Sequence, residues 1–222
     1  MKSAMSAIAQ QDAIAYSRCW QNPLQTRAKR VLDVTASFIS LLLLAPLFAV
    51  ISIAVKLGSV GPILYRWNVV GRGGRPFTGY KFRSMVAHAD SLRGGLASRN
   101  EMTGPVFKVT NDPRITRVGA WLRKYSLDEL PQLYNVLKGD MSLVGPRPPL
   151  ATEYAHFSDY QKKKLTVKPG ITCLWQVSGR NQISDFDEWV RLDLEYIHRW
   201  SLALDLNILA RTLGAVFSGS GK

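Results

Sequence analysis

Residues 34–55 run for 22 consecutive positions without a charge. At about 1.5 Å per residue, a straight helix of that length reaches across a hydrocarbon core. Two details speak against a straight span. Pro46 lies near the middle, where it removes a backbone hydrogen bond and kinks the helix. Basic residues flank both ends, with Arg27, Lys29 and Arg30 before the run and Lys56 and Arg66 after it. The cytoplasmic bias of Lys and Arg then places both ends on the same side. A helix that enters, bends at Ala45-Pro46 and returns satisfies both facts, so residues 29–57 are predicted to form a re-entrant hairpin. A straight spanning anchor stays open as the alternative, and a core helix of a soluble protein fits this length poorly. Asp33, about one turn after Lys29 and Arg30, is expected to pair with them.

Elsewhere the periods are shorter. Residues 1–28 are largely polar and alanine-rich and predict a mobile tail with no assigned role. Glycine and proline punctuate 58–79, predicting a short strand near 62–65 and a turn over 71–75. Residues 77–85 alternate apolar and polar, which is a strand pattern placing Lys81 and Arg83 on one face. A helix is predicted over 85–93, a mobile loop over 94–104 and an apolar stretch at 106–109. A basic amphipathic helix follows over 114–125, with Val118, Trp121, Leu122 and Tyr125 on its apolar side. Leu130, Leu133, Tyr134 and Leu137 recur at helical spacing and Gly139 ends that helix.

A short strand is read at 141–144, a helix over 153–164 ending in three lysines, and an extended segment over 171–177. Ser184 is read as the cap of a last helical region. There Trp189, Tyr196 and Trp200 alternate with Arg191 and Arg199, a pattern that suits a core helix and an interface helix equally. Residues 202–217 are apolar but interrupted by Asp205, Asn207 and Arg211, too broken to span and better suited to lying on a membrane. The predicted fold class is α/β and mostly helical. A small sheet is drawn from 62–84, 106–109 and 141–177, with amphipathic interface helices and the N-terminal re-entrant hairpin. The expected divisions are 1–28 tail, 29–57 hairpin and 58–222 cytosolic catalytic domain.

Charge narrows the partners. The net charge of +13 calls for a polyanionic partner or surface: nucleic acid, anionic lipid or phosphorylated substrates. Cys19 and Cys173 stand far apart, and His88, His156 and His198 are scattered, so there is no zinc pattern and both thiols are expected to be idle. Residues 1–26 lack the continuous apolar core of a cleavable signal peptide. The glycines of 71–74 lack phosphate-loop spacing and read as a turn.

The candidate chemistry lies in 122–149, LRKYSLDELPQLYNVLKGDMSLVGPRPP. Asp128 and Glu129 are adjacent carboxylates, with Arg123 and Lys124 just before them. Ser126 and Glu129 have capping-box spacing, and Asp128 would complement the helix dipole. That purely structural reading leads on local sequence alone; a nucleophile or metal-ligand role is the other. Arg147 is held between Pro146 and Pro148, which suits bidentate phosphate binding. Lys81 and Arg83 make a second pair of cations.

Four segments taken together change that balance: KFRSM (81–85), DPRITRVGAWLRKYSLDELPQLYNVLKGDMSLVGPRP (112–148), KPGITCLWQVSGR (168–180) and DLEYIHRWSLALDLNILARTL (193–213). In this order they resemble the bacterial sugar transferase family, the polyprenyl-phosphate hexose-1-phosphate transferases or monotopic phosphoglycosyl transferases. The resemblance covers about 29–217. It implies the re-entrant hairpin, although members often carry Ser before the proline where this chain has Ala45.

The resemblance also implies that Asp128 is the nucleophile and that Glu129, with Asp128 beside it, binds Mg²⁺. Arg123, Lys81, Arg147 and Arg83 would hold phosphate, and Gln176 and Arg180 would contact nucleotide or sugar. The implied substrates are a UDP-hexose, with glucose or galactose leading, and undecaprenyl phosphate. UMP is released, on the cytoplasmic face of the bacterial inner membrane, at the first step of exopolysaccharide, capsule or O-antigen synthesis. Anionic membrane lipid is the expected surface, with no nucleic-acid partner. The competing reading is a non-catalytic basic scaffold anchored to the membrane and binding anionic lipid or nucleic acid. It gives no reason for SLDELPQ, GPRP and KPGIT to occur together.

Overall fold

The computed structural model describes residue 20 and residues 22–179 and 183–219. It is mostly helical, with two small two-stranded sheets. Helix α1 (Pro23–Leu43) starts on Asn22, whose side chain accepts from the backbone N–H of Leu24 and Gln25, with Pro23 in the first turn. Leu44 breaks it, and α2 (Ala45–Gly58) leaves at 63° with Pro46 in its own first turn. Among the described residues no single helix is long and apolar enough to cross a membrane. The bent pair has that length and composition only when taken together. Phe38, Leu42, Leu43, Val50 and Ile53 lie exposed along it. Ile51 and Val55 turn inward and pack with Phe82 and Leu122.

The polar residues of α1 grip the rest of the chain. Lys29 is buried; its Nζ donates to Asp205 Oδ2 at 2.6 Å and to the Val144 carbonyl at 3.0 Å. Arg30 donates to the carbonyls of Val136 and Leu137, at the C-terminal end of the helix over Gln132–Lys138. Asp33 accepts from Ser142 Oγ and Leu143 N–H at 3.0 and 2.9 Å, so it does not take up the neighbouring cations as the sequence suggested. Buried backbone and hydroxyl donors facing it from across the core claim its oxygen instead.

Strands β1 (Leu64–Val70) and β2 (Pro76–Phe82) form an antiparallel hairpin that pairs Leu64 with Phe82 and Val70 with Pro76. Gly73 and Gly74 take positive φ in its turn. The helix expected over 85–93 is a series of turns, in which His88 has φ 64°. Nor do 106–109 form a strand. The Asn100 side chain closes that loop on itself, accepting from Lys108 N–H and donating to the Val106 carbonyl. Helix α3 (Arg117–Lys124) begins on the Thr116 cap, later than predicted, because Arg114 is drawn into a 2.6 Å ion pair with Asp112.

Helix α4 (Gln132–Lys138) ends at Gly139 in the left-handed conformation, as its sequence requires. Strand β3 (Ser142–Val144) pairs in parallel with β4 (Gly170–Thr172). The strand stops at Thr172, short of the extended run to 177. Residues 174–177 make one helical turn instead, closed by Gln176 Oε1 on Cys173 N–H. Burial pushes the Cys173 thiol up to about 12, which keeps it idle. Cys19 and the tail before Trp20 lie outside the described residues.

Helix α5 (Phe186–Arg199) is capped by Asp185 rather than Ser184 and is a core helix: Phe186, Val190, Tyr196 and Ile197 are buried. Trp175 stacks on Trp189 with centroids 4.2 Å apart. Lys164, last of the three lysines, is buried in a 2.5 Å ion pair with Asp193. Helix α6 (Leu202–Ser218) leaves Leu206, Leu213 and Phe217 exposed. Its Asp205 collects Lys29, Tyr196 and Trp200, binding the start of the chain to its end.

That knot makes a prediction. Lys29→Met leaves a buried carboxylate without its ammonium and should cost about 3–5 kcal/mol. The thermal midpoint in detergent should fall sharply and recover in part when Asp205→Leu is added. An unchanged midpoint would show that the pair does not hold the helix in place.

Candidate active site

The carboxylates sit on an irregular turn. Ser126 takes a left-handed conformation, φ 53° and ψ 22°, and its hydroxyl caps nothing. The capping box read from the sequence therefore does not form. Residues Leu127–Glu129 make one 3₁₀ turn, closed by Glu129 N–H on the Ser126 carbonyl, and α4 begins only after Pro131. The short turn leaves the Glu129 side chain uncommitted to a cap and turned toward Lys81, and Asp128 and Glu129 are 7% and 8% exposed.

Three other segments bring cations to this turn. Lys81 on β2 donates to Glu129 Oε1 at 2.8 Å, and its ammonium lies 4.5 Å from the centre of the Trp67 ring. Arg147, from the loop after β3, stands 3.5 Å from the same oxygen. Arg123, near the end of α3, interacts with the charge of Asp128 and, more weakly, of Glu129. Burial holds the Lys81 ammonium below the ordinary lysine range, against the pull of Glu129. Burial likewise lowers Arg123, opposed mainly by Asp128. Desolvation therefore outweighs attraction at both cations, an arrangement suited to receiving more negative charge.

Five of the residues singled out in the sequence thus converge: Asp128, Glu129, Lys81, Arg123 and Arg147. Arg83 does not join them. The strand ends at Phe82, so alternation does not carry Arg83 to the Lys81 face. Its guanidinium is buried and donates to the Val55 and Ser59 carbonyls and to Ser59 Oγ, fastening the end of α2. Gln176 is occupied with Cys173. Arg180 lies outside the described residues.

Two positioning residues were not foreseen. Ser84 Oγ accepts from Arg123 Nε at 2.9 Å and fixes that side chain. Asn135, fully buried, accepts from Tyr80 N–H at 3.2 Å and donates to the Thr78 carbonyl at 2.8 Å, clamping β2 beside Lys81. Ser84 stands within KFRSM. Asn135 carried only a weak signal, a polar residue flanked by apolar ones on a core helix.

Among the described residues no cluster of three or more His, Cys, Asp or Glu side chains forms a metal cage. Two adjacent carboxylates do fit Mg²⁺, which typically takes one or two protein carboxylates and completes its shell with substrate phosphates and water. The arrangement therefore combines a carboxylate able to attack phosphorus, a second able to share a hard cation, and three cations for phosphate oxygens.

The sequence pattern of the bacterial sugar transferase family matches residues 24–219. The chain is 49% identical over 208 residues to the galactosyl transferase CpsE of Streptococcus agalactiae, covering 94% of this chain and 46% of that protein. It is 43% identical to the undecaprenyl-phosphate galactose phosphotransferase of Salmonella typhimurium, covering 90% of this chain and 44% of that one. The exopolysaccharide production protein ExoY of Rhizobium meliloti is 41% identical, with 90% of each chain covered. The chain spans less than half the length of the first two relatives and nearly all of the third. With a family match over almost its whole length and five cationic and acidic side chains gathered at one turn, this chain belongs to the bacterial sugar transferases.

Proposed function

We propose that the chain transfers a hexose 1-phosphate from a UDP-hexose to undecaprenyl phosphate, releasing UMP and starting a polysaccharide on its lipid carrier. The observation that carries this reading is the buried Asp128–Glu129 pair ringed by Lys81, Arg123 and Arg147. Both substrates are anionic, and cations must bring them together. The names of two relatives specify galactose, which makes it the first sugar to test.

Asp128 attacks the phosphorus next to the sugar. A bond forms from its carboxylate oxygen to that phosphorus, and the bond to the bridging oxygen breaks. UMP leaves with the electron pair. A phosphate oxygen of undecaprenyl phosphate then attacks the same phosphorus, and the Asp128 carboxylate is released. Splitting the transfer into two displacements predicts ping-pong kinetics. Lys81, Arg123 and Arg147 bind the non-bridging oxygens as charge builds on them. Mg²⁺, held by Glu129 beside Asp128, would neutralise the diphosphate.

The bend at Leu44, the exposed apolar faces of α1 and α2 and the basic flanks support a re-entrant hairpin. It would set the catalytic domain on the cytoplasmic face of the inner membrane, among anionic headgroups. A non-catalytic scaffold gives no reason to bury two adjacent carboxylates. An anionic surface would repel them, and their desolvation is costly.

Asp128→Asn removes the nucleophile and keeps the shape. UMP release from UDP-galactose or UDP-glucose should fall at least a thousandfold, with the protein still folded. Full activity in that variant would end the proposal. A second test uses pH. Because burial lowers the Lys81 pKa, its charge is lost as pH rises through a value below that of an ordinary lysine. Activity should show an alkaline limb at that lower pH, and Lys81→Arg should move it upward. An identical alkaline limb in the variant would remove Lys81 from phosphate binding.

A further inference from the structure

A pocket of about 580 Å³ is lined by Arg93, Gly104 and Pro105 from the loops before α3 and by Thr152, Glu153 and His156 from the segment after Arg147. Both segments are tied to the side of the β-hairpin that bears Lys81. Tyr65 is the cross-strand partner of Lys81, and Tyr65, Trp67 and Lys81 share one face. The Tyr65 hydroxyl donates to Asp90 at 3.2 Å, three residues before Arg93, and the charge of Arg93 acts on Tyr65. On the other side, Val70 N–H donates to the Pro149 carbonyl and Leu150 bridges Val69, so the chain leading to Glu153 runs along the edge of β1. Arg147 joins the two places. It stands 3.5 Å from Glu129 Oε1, and its charge also acts on Glu153.

Glu153 decides what the pocket takes. Its Oε2 accepts from Leu150 N–H at 3.0 Å, which fixes the carboxylate and leaves Oε1 to accept from a ligand. Burial is the largest influence on this carboxyl and raises its pKa, against the Leu150 N–H and the charges of Arg147 and Arg93. A desolvated carboxylate oxygen calls for hydrogen-bond donors. A phosphate placed beside it would be repelled, whereas sugar hydroxyls would donate to it. Arg93 lies over the Phe107 ring, 4.9 Å from its centre, which holds the opposite wall in place. The occupant is therefore hydroxyl-bearing and uncharged where it meets Glu153, and joined to a phosphate that reaches Arg147.

We propose that this pocket receives a hydroxyl-bearing ring of the nucleotide-sugar donor, that Glu153 accepts a hydrogen bond from one of its hydroxyls, and that the diphosphate runs from there toward Arg147 and Lys81. The assignment rests on the transferase reading above. The hexose and the ribose both offer this chemistry. A fixed acceptor of this kind makes Glu153 a specificity-determining residue, because a donor analogue lacking the hydroxyl leaves the carboxylate buried without a partner.

The test measures binding of UDP-galactose, UDP, UMP and 2′-deoxy-UMP to the full chain in detergent with Mg²⁺, in an Asp128→Asn background so that the donor is not consumed. Glu153→Gln keeps the side chain's size and an oxygen for Leu150 N–H, and Thr152→Phe adds bulk at an exposed lining position, so both should spare the thermal midpoint. Each should raise the Kd for UDP-galactose about tenfold. If the hexose supplies the hydroxyl, UDP and UMP bind the Glu153→Gln protein as before. If the ribose supplies it, all three loosen together and 2′-deoxy-UMP binds weakly even without the substitution. An unchanged or lower Kd for UDP-galactose in either variant would overturn the assignment, as would no binding of UDP-galactose at all. UMP release by the chain with Asp128 intact is read in parallel. Release with a Kd indifferent to both substitutions refutes the pocket alone. Binding that both substitutions weaken, without release, refutes the transferase reading and leaves the pocket standing.

Discussion

Two carboxylates side by side on one buried turn cannot both stay ionised without cations close by. Each loses water on burial, and each repels the other. Lys81, Arg123 and Arg147 answer that need, and they come from three separated parts of the chain. The fold has to deliver all three to the turn at Leu127–Glu129, and much of its unusual detail serves that delivery. Asn135 clamps β2 so that Lys81 meets Glu129. Ser84 holds the inner nitrogen of Arg123, leaving its outer nitrogens for Asp128 or a phosphate. Prolines on both sides of Arg147 stiffen the loop that carries it.

The bent pair of α1 and α2 joins the same frame. Lys29, Arg30 and Asp33 occupy about one turn of α1, and all three are spent on α4, β3 and α6 rather than on solvent. Arg83 fastens the end of α2 to the end of β2. An apolar element that exposes phenylalanine, leucine and isoleucine on its outer face is thus locked to the elements bearing the reacting groups. In the proposed membrane-bound arrangement, the depth of this pair would set the depth of Asp128. In the proposed transfer, that coupling would let a soluble sugar nucleotide and a lipid phosphate meet at one carboxylate.

Much of this was legible in the residues. The bend followed from Pro46 in an uncharged run, and α4 from the spacing of Leu130, Leu133 and Leu137. The convergence of Lys81, Arg123, Arg147 and the carboxylates followed from the motifs that carry them. What failed was local pattern read without its tertiary rivals. Ser126 has the spacing of a cap, but the chain needs a left-handed residue there and a tight turn, and the Glu129 side chain goes to Lys81 instead. Arg83 fits an alternating strand, but β2 stops one residue short of it. Residues 106–109 look like a strand, but Asn100 satisfies their backbone from within the loop. Asp33 sits beside two cations, but donors across the core reach it first. For Glu129, Arg83 and Asp33 a partner distant in sequence decided the outcome, and short-range spacing carries no record of such partners; for 106–109 a side chain within the same loop did so.

The central claim is that one buried carboxylate becomes covalently bound to sugar phosphate. The most direct measurement is to incubate the protein with UDP-galactose and Mg²⁺ without acceptor, quench in acid and map the peptides by mass spectrometry. The account predicts a hexose-phosphate adduct on Asp128 that disappears when polyprenyl phosphate is added before the quench. UMP release with no adduct on any peptide, or an adduct on a residue other than Asp128, would contradict it.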